Sequence, residues 1–273
     1  MDLTPRVYTG QDLIDGELHP LASGLVAVYT AKAPDAEEGA VNEDSCAIIP
    51  YDDVSGVVVV ADGAGGLPSG AKASEIAVNA LRATLKAASK NGQDLRSAIL
   101  DGIEQANHEV QALGVGAGTT LAVAEIRGLS VRTYHVGDSQ VVVVGQRGKV
   151  KLVTMCHSPV GYAVGAGLIE ERDAIMHEER HLVSNLVGHT TMHIEIGPVV
   201  ELSPKDTVLV ASDGLFDNLH LEEIAETCRK GQLLTIARLL AETTRERMAV
   251  VQDGHPSKPD DLTFTVFRRR VTD

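Results

Sequence analysis

Cysteine is scarce in this chain and poorly placed for cross-linking. Cys46, Cys156 and Cys228 are the three present. An odd number at wide spacing, without a Cys-x-x-Cys pair, excludes a disulfide framework and a structural zinc site and points to a reducing compartment. Long apolar runs are lacking as well: none approaches the roughly 20 residues of a membrane-spanning helix. The first residues, Met1-Asp2-Leu3-Thr4-Pro5, carry neither the basic start nor the apolar stretch of a secretory signal. Basic charge is outnumbered, with 24 Lys and Arg against 38 Asp and Glu and a formal net charge of −14. A broad basic face for nucleic acid is therefore excluded. These absences predict a cytoplasmic protein that engages neither nucleic acid nor membrane.

What is present is ordinary globular material. The chain's 273 residues, 44% apolar and 23% charged, suffice for a sizeable core in one large domain or two small ones. Residues 1–24 show little periodicity and read as an N-terminal extension, and the patterned region 25–273 reads as a single domain. Short β-branched runs predict strands at 25–29, 46–49, 56–61, 119–126, 130–136, 140–144, 150–154, 207–211 and 262–267. Apolar residues at helical spacing from Ala73 to Ala88 and from Leu95 to Leu113 predict two helices split by Asn91-Gly92, the second capped by Asp94. Two more helices are predicted at 221–228 and 233–248, and the mixed, Gly- and His-rich stretch 157–201 has room for one or two short ones. The long helices come in succession and the strands cluster around them, which is not a β-α-β alternation. The fold class is α+β, with mostly antiparallel sheets covered by helices.

The aspartates fall at the ends of these strands. Asp62 follows Val57-Val58-Val59-Val60-Ala61, Asp138 follows the strand ending at Val136, and Asp213 follows Val208-Leu209-Val210-Ala211-Ser212. Glu43 and Asp44 precede one strand, and Asp260 and Asp261 precede the last. Glycine or serine comes next in Asp62-Gly63, Asp138-Ser139 and Asp213-Gly214; glycine lets the backbone approach an ion and offers its carbonyl. Each such pair alone also fits a plain turn. Acids gathered at several strand termini suit a hard cation, Mg²⁺ or Mn²⁺, because the donors are oxygens. Shared carboxylates would hold two such ions about 3.5–4 Å apart, a spacing suited to attack of water on phosphorus.

Other motifs carry less. His177, His181, His189 and His193 are spaced by four, eight and four, but no His-Glu-x-x-His occurs, and Gly188 with Thr190-Thr191 disfavours one continuous helix. Gly114-Val115-Gly116-Ala117-Gly118 leads into a strand rather than a helix, and the loop from Asp62 to Gly70 lacks the Gly-Lys-Ser/Thr ending of a phosphate loop. Ser139 and Ser212 lack a Gly-x-Ser-x-Gly setting.

Taken in chain order, the segments Asn42-Glu43-Asp44-Ser45, Val60-Ala61-Asp62-Gly63-Ala64-Gly65-Gly66, Gly118-Thr119-Thr120-Leu121, His135-Val136-Gly137-Asp138-Ser139, Ala211-Ser212-Asp213-Gly214-Leu215-Phe216-Asp217-Asn218-Leu219 and Pro259-Asp260-Asp261-Leu262-Thr263 resemble the metal-dependent protein phosphatase family, the type 2C serine/threonine phosphatases. They span 42–263, and the Asp-Gly-x-Gly-Gly loop is that of compact bacterial members. The resemblance implies a central antiparallel β-sandwich flanked by helices on both outer faces, with the site at one end. It implies hydrolysis of phosphoserine and phosphothreonine in proteins by a metal-activated water at a dinuclear carboxylate site. The implied cofactor is Mn²⁺ or Mg²⁺, as two ions with a third, weaker one. Carried over by position, Asp62 bridges the two ions, Glu43 and the Gly63 carbonyl complete one site, and Asp213 and Asp260 complete the other. Asp44 orients the attacking water, Asp138 contributes to the third ion, and residues 157–200, opening at His157-Ser158, form a flap beside the site. The implied partners are phosphoproteins, and a monomer is expected.

Two positions depart from the family pattern. The Arg usually found three residues before Asn-Glu-Asp, which clamps substrate phosphate, is Gly39 here, behind Glu37 and Glu38. Lys32 and Arg6 are candidates to substitute for it. The His that follows the first Asp-Gly in many eukaryotic members is Ala64. The missing Arg keeps open a catalytically weak phosphoprotein-binding module on the same fold. The unreadable flap keeps open a Mg²⁺-dependent hydrolase of small phosphorylated molecules.

Overall fold

The computed structural model describes residues 4–64, 67 and 69–270. The strands are β1 (Arg6–Thr9), β2 (Leu13–Leu21), β3 (Gly24–Ala31), β4 (Asp44–Pro50), β5 (Ser55–Asp62), β6 (Leu121–Arg127), β7 (Ser130–Val136), β8 (Gln140–Val144), β9 (Val150–Val153), β10 (Glu195–Ile196), β11 (Val200–Glu201), β12 (Thr207–Ala211) and β13 (Leu262–Arg269). The helices are α1 (Gly70–Lys90), α2 (Leu95–Gln111), α3 (Pro159–Gly165), α4 (Glu171–Ala174), α5 (Asp213–Phe216), α6 (Leu221–Cys228) and α7 (Leu233–Ala249), with a 3₁₀ turn at Glu178–His181.

Two antiparallel sheets pack face to face. One runs β1-β4-β5-β6-β7-β10, with β11 also on β7; the other runs β2-β3-β13-β12-β8-β9. Strand β5 shows why its sequence reads as an unbroken apolar run. Val58 and Val60 enter the layer between the sheets, beside Val26, Val28, Val141, Val143, Val208 and Val210. Val57, Val59 and Ala61 point the other way, under Leu81, Leu85, Ile99 and Ile103 of α1 and α2. A strand covered on both faces has no polar side to alternate with. Burying each of these valines contributes roughly 1.5–2 kcal/mol. On the far sheet, Leu209, Phe264 and Val266 pack under Ile236, Leu240 and Met248 of α7. The arrangement is the expected α+β sandwich with helices on both outer faces.

The helix starts follow local chemistry. The Asp94 side chain accepts from the Arg96 and Ser97 amides and caps α2 as its sequence predicts. Asn91-Gly92 closes α1, with Gly92 at φ +67°.

The 1–24 segment reads as an extension, but its described part, 4–24, holds structure. Strand β1 pairs with β4 on one sheet and β2 pairs with β3 on the other. The sequence conceals them for a physical reason: β2 is a largely exposed edge strand, with a register shift between Leu13 and Glu17 that interrupts its alternation. Met1 to Leu3, on which the absence of a signal was read, lie outside the described residues, as do Gly65 and Gly66 of the glycine loop. Among the described residues no helix is long and apolar enough to cross a membrane.

Candidate active site

One end of the sandwich gathers the acids. The β4–β5 register sets Asp44 directly opposite Asp62, the first residue of one strand against the last of its neighbour. Opposite residues of an antiparallel pair project to the same side. Asn42 starts the turn into β4, with its Oδ1 accepting from the Asp44 amide at 2.9 Å and its Nδ2 donating to Thr30 Oγ1 at 2.9 Å.

The Gly118-Thr119-Thr120 segment wraps the end of β5. The Thr120 amide and the Thr119 hydroxyl both donate to the Asp62 carbonyl, at 2.8 and 2.7 Å. Thr120 Oγ1 in turn accepts from the Asp62 amide at 3.0 Å. Gly63 is required by packing, because a Cβ there would lie 2.3 Å from the carbonyl carbon of Gly70 at the start of α1. That contact brings the helix start to Glu43, whose Oε1 accepts from the Ala71 amide at 3.3 Å.

The other sheet supplies the rest. Asp213 opens α5 directly after β12, and Asp217 lies one turn on, its amide donating to the Asp213 carbonyl at 2.7 Å. Asp260 and Asp261 precede β13. Asp261 ties the loops together, accepting from the Glu43 amide at 2.6 Å and the Ala33 amide at 2.8 Å. Ser212 bridges the sheets: its hydroxyl donates to Asp44 Oδ2 at 2.8 Å and accepts from the Thr263 amide at 3.1 Å.

A cavity of about 270 Å³ lies among these groups, lined by Glu43, Asp62, Gly63, Asp138, Asp213 and Asp260, with Asp261 and Lys258. Asp44 sits beneath it, 1% exposed. The sequence-predicted site residues thus meet at one place. His181 and Val183 of the flap segment close the near side. A neighbouring cavity of about 300 Å³ shares Asp138 and Asp213 and has apolar walls from Val160, Val164, Ile175, Phe216 and Leu221.

Electrostatics follows from crowding. Burial first, then the charges of Asp44, Asp213 and their neighbours, holds Asp62 well above the usual carboxylate range. Burial and Asp261 do the same to Asp44, and burial with Asp213 and Asp217 to Asp138. Asp260 is pushed up to about 7 and Asp217 to about 6, both by burial and then by Asp213. Asp213 is the exception: burial works against its charge, but the Lys258 ammonium outweighs it and holds the carboxyl low. Asp44 Oδ1 and Asp213 Oδ1 are buried without a hydrogen-bond partner. Clustered, partnerless carboxylate oxygens beside a glycine carbonyl fit a hard divalent cation, which takes oxygen donors and offsets their repulsion.

Three participants received no role in the sequence reading. Asp217 carried a signal, four residues after Asp213 and so on the same helix face. Lys258 and Asp261 stood beside Asp260 without a pattern of their own. Lys258, rather than Lys32 or Arg6, brings a basic side chain into the cavity. Lys32 reaches instead to the Ala40 carbonyl at 3.5 Å. Gly39 lies exposed at φ +89°, a left-handed backbone that favours glycine.

The four spaced histidines do not form a site. His177, His181 and His193 are exposed, and His189 is half-buried against Gly118. A different trio, His135, His157 and Glu195, has its donor atoms within 4.8 Å of one another. His157 Nδ1 accepts from the Gly137 amide at 3.1 Å, so Nε2 carries the ring proton and donates it to Glu195 at 3.2 Å. A protonated Nε2 is a hydrogen-bond donor, not a ligand, and the trio reads as a clamp on the Gly137–Asp138 turn.

Comparison with known proteins agrees with this geometry. The family model for protein phosphatase 2C matches residues 35–248. A putative protein phosphatase 2C-type from Streptococcus pyogenes is 31% identical over 183 residues, 64% of this chain and 74% of its own. The serine/threonine phosphatase stp of Listeria monocytogenes is 29% identical over 240 residues, 85% of this chain and 91% of its own. The crystal structure of the PPM Ser-Thr phosphatase MsPP from Mycobacterium smegmatis superposes with a TM-score of 0.73 at 26% identity, covering 90% of this chain and 98% of that one. With the carboxylates at one end of a two-sheet sandwich, the chain belongs to the protein phosphatase 2C family.

Proposed function

We propose that the chain is a metal-dependent protein phosphatase that hydrolyses phosphoserine and phosphothreonine. The observation that carries this reading is the convergence of Glu43, Asp62, Asp138, Asp213 and Asp260 on one cavity, above a buried Asp44. In the proposed assignment the site would hold two ions, Mn²⁺ or Mg²⁺, with Asp62 serving both. Glu43 and the Gly63 carbonyl would hold one, Asp213 and Asp260 the other, and Asp138 would take part in a third, weaker position. Bound divalent ions acidify water and offset the charge on phosphoryl oxygens.

The chain's own groups do the rest. Ser212 occupies one oxygen of Asp44, which leaves Oδ1 to orient the attacking water and draw on its proton. The 157–200 segment acts as the flap: its Val183 and His181 flank the carboxylates, and its α3 and α4 wall the apolar cavity next to them. That cavity suits residues flanking the phosphorylated side chain. The free cysteines support a reducing, cytoplasmic setting.

The test is hydrolysis of p-nitrophenyl phosphate and a phosphothreonine peptide with Mn²⁺, with Mg²⁺ and with EDTA, for the wild type and Asp213→Asn. Turnover should require metal and fall about 10²-fold or more in the variant. A folded, metal-binding wild type without turnover would sink the enzymatic reading in favour of a binding module.

A further inference from the structure

Lys258 is the cation at the centre of the acids. Its Nζ lies 2.7 Å from Asp213 Oδ2, 2.7 Å from Asp217 Oδ2 and 3.0 Å from Asp260 Oδ2. This placement is built rather than incidental. The Lys258 amide donates to Asn218 Oδ1 at 2.8 Å, and Asn218 Nδ2 donates back to the Lys258 carbonyl at 2.9 Å. Asn218 is fully buried and fixed in turn: its Nδ2 also reaches the Gly214 carbonyl at 2.9 Å, and its own carbonyl accepts from Arg247 Nη1 at 2.8 Å. The frame aims the lysine stem at the cluster. The side chain is 25% exposed, so an unbranched four-carbon stem has a route outward.

We propose that Lys258 is a tethered cation that competes with the divalent ion for the Asp213–Asp260 side of the cluster. The inference rests on the reading that these two carboxylates hold an ion. A carboxylate oxygen about 2.1 Å from a divalent ion cannot keep the same lone pair on an ammonium group. Even where the ion takes the other oxygen, as Asp213 Oδ1 allows, an ammonium held on the same carboxylate repels it, and by linkage each weakens the other. Lys258 therefore lowers the ion affinity of this side and offsets repulsion among Asp213, Asp217 and Asp260 when the ion leaves. Ion binding in turn turns the lysine out towards solvent.

The experiment is a calorimetric Mn²⁺ titration of the wild type, Lys258→Met and Lys258→Gln, with Asp213→Asn alongside. Both lysine variants should bind one ion about tenfold or more tightly, with the other unchanged. On the wild type, acetylation of Lys258 by acetic anhydride, followed by mass spectrometry, should be slow without Mn²⁺ and faster at saturation. Unchanged affinity in the lysine variants, or labelling indifferent to Mn²⁺, overturns the proposal. If Asp213→Asn loses an ion while the lysine variants match the wild type, only the tethered cation fails. If Asp213→Asn binds as the wild type does, the metal assignment beneath it fails too.

Discussion

Strand β5 passes through two environments within a few residues. From Val57 to Ala61 its side chains are buried among other apolar groups on both faces. At Asp62 the same strand enters a cluster in which buried carboxylates face one another, two of them with an oxygen that has no partner. The first region gains from every group it removes from water. In the second, burial opposes the charges it encloses. A carboxylate cluster of this kind is held together by the sandwich behind it, not by its own contacts. The crowding that costs stability is what suits it to a divalent ion.

Breaking the interior should have the largest effect. Phe264 is fully buried in β13, stacked on Tyr29 with ring centroids 5.2 Å apart. Phe264→Ala should lower stability by about 3–5 kcal/mol, read from urea unfolding, and by the same amount at every pH between 6 and 8.

The carboxylate end should respond to pH instead. Without metal, Asp260 titrates near 7 and Asp217 near 6, both above the ordinary 3.8. The folded chain then binds protons that the unfolded chain releases, so stability rises as pH falls from 8 through these values. His135 opposes this lower down. Burial and His157 hold it near 4 against an ordinary 6.5, so below about 6.5 the unfolded chain takes up the proton. In EDTA, these two groups should raise stability by about 1 kcal/mol from pH 8 to 6.5 and by more below that, with His135 offsetting part of the later gain. A flat profile across that interval would show that the cluster is not strained in this way.

The smallest effect tests the loop that departs from the family pattern. Gly39 holds φ +89° with nothing within 4 Å of where a Cβ would sit. Gly39→Arg should therefore cost about 1 kcal/mol through backbone conformation alone, without a steric clash. A thermal melt unchanged from the wild type would mean that the loop relaxes freely.

How much of this was legible depended on how local the cause is. The valine run of β5, the Asp94 cap of α2 and the spacing along α7 are encoded within single elements, so pattern reading finds them. Strands β10 and β11 span two residues each and are defined only by pairing with β7. Helix α5 spans four residues, too few for a period to show. At the site, the acids announced themselves by following strands, and the family segments put them in order. Their neighbours did not, because Lys258 meets Asp213 and Asp217 across more than forty residues of chain.

By itself the sequence determined the types of the longer elements and which acids stand at strand ends, since propensity, period and turn chemistry act between near neighbours. Only the tertiary structure decided that the end of β5 meets the start of β4, that Asp213 and Asp260 arrive from the facing sheet, and that one lysine holds three of these acids together. Register and sheet packing join residues far apart in the chain, and charges interact through the distances that this packing sets.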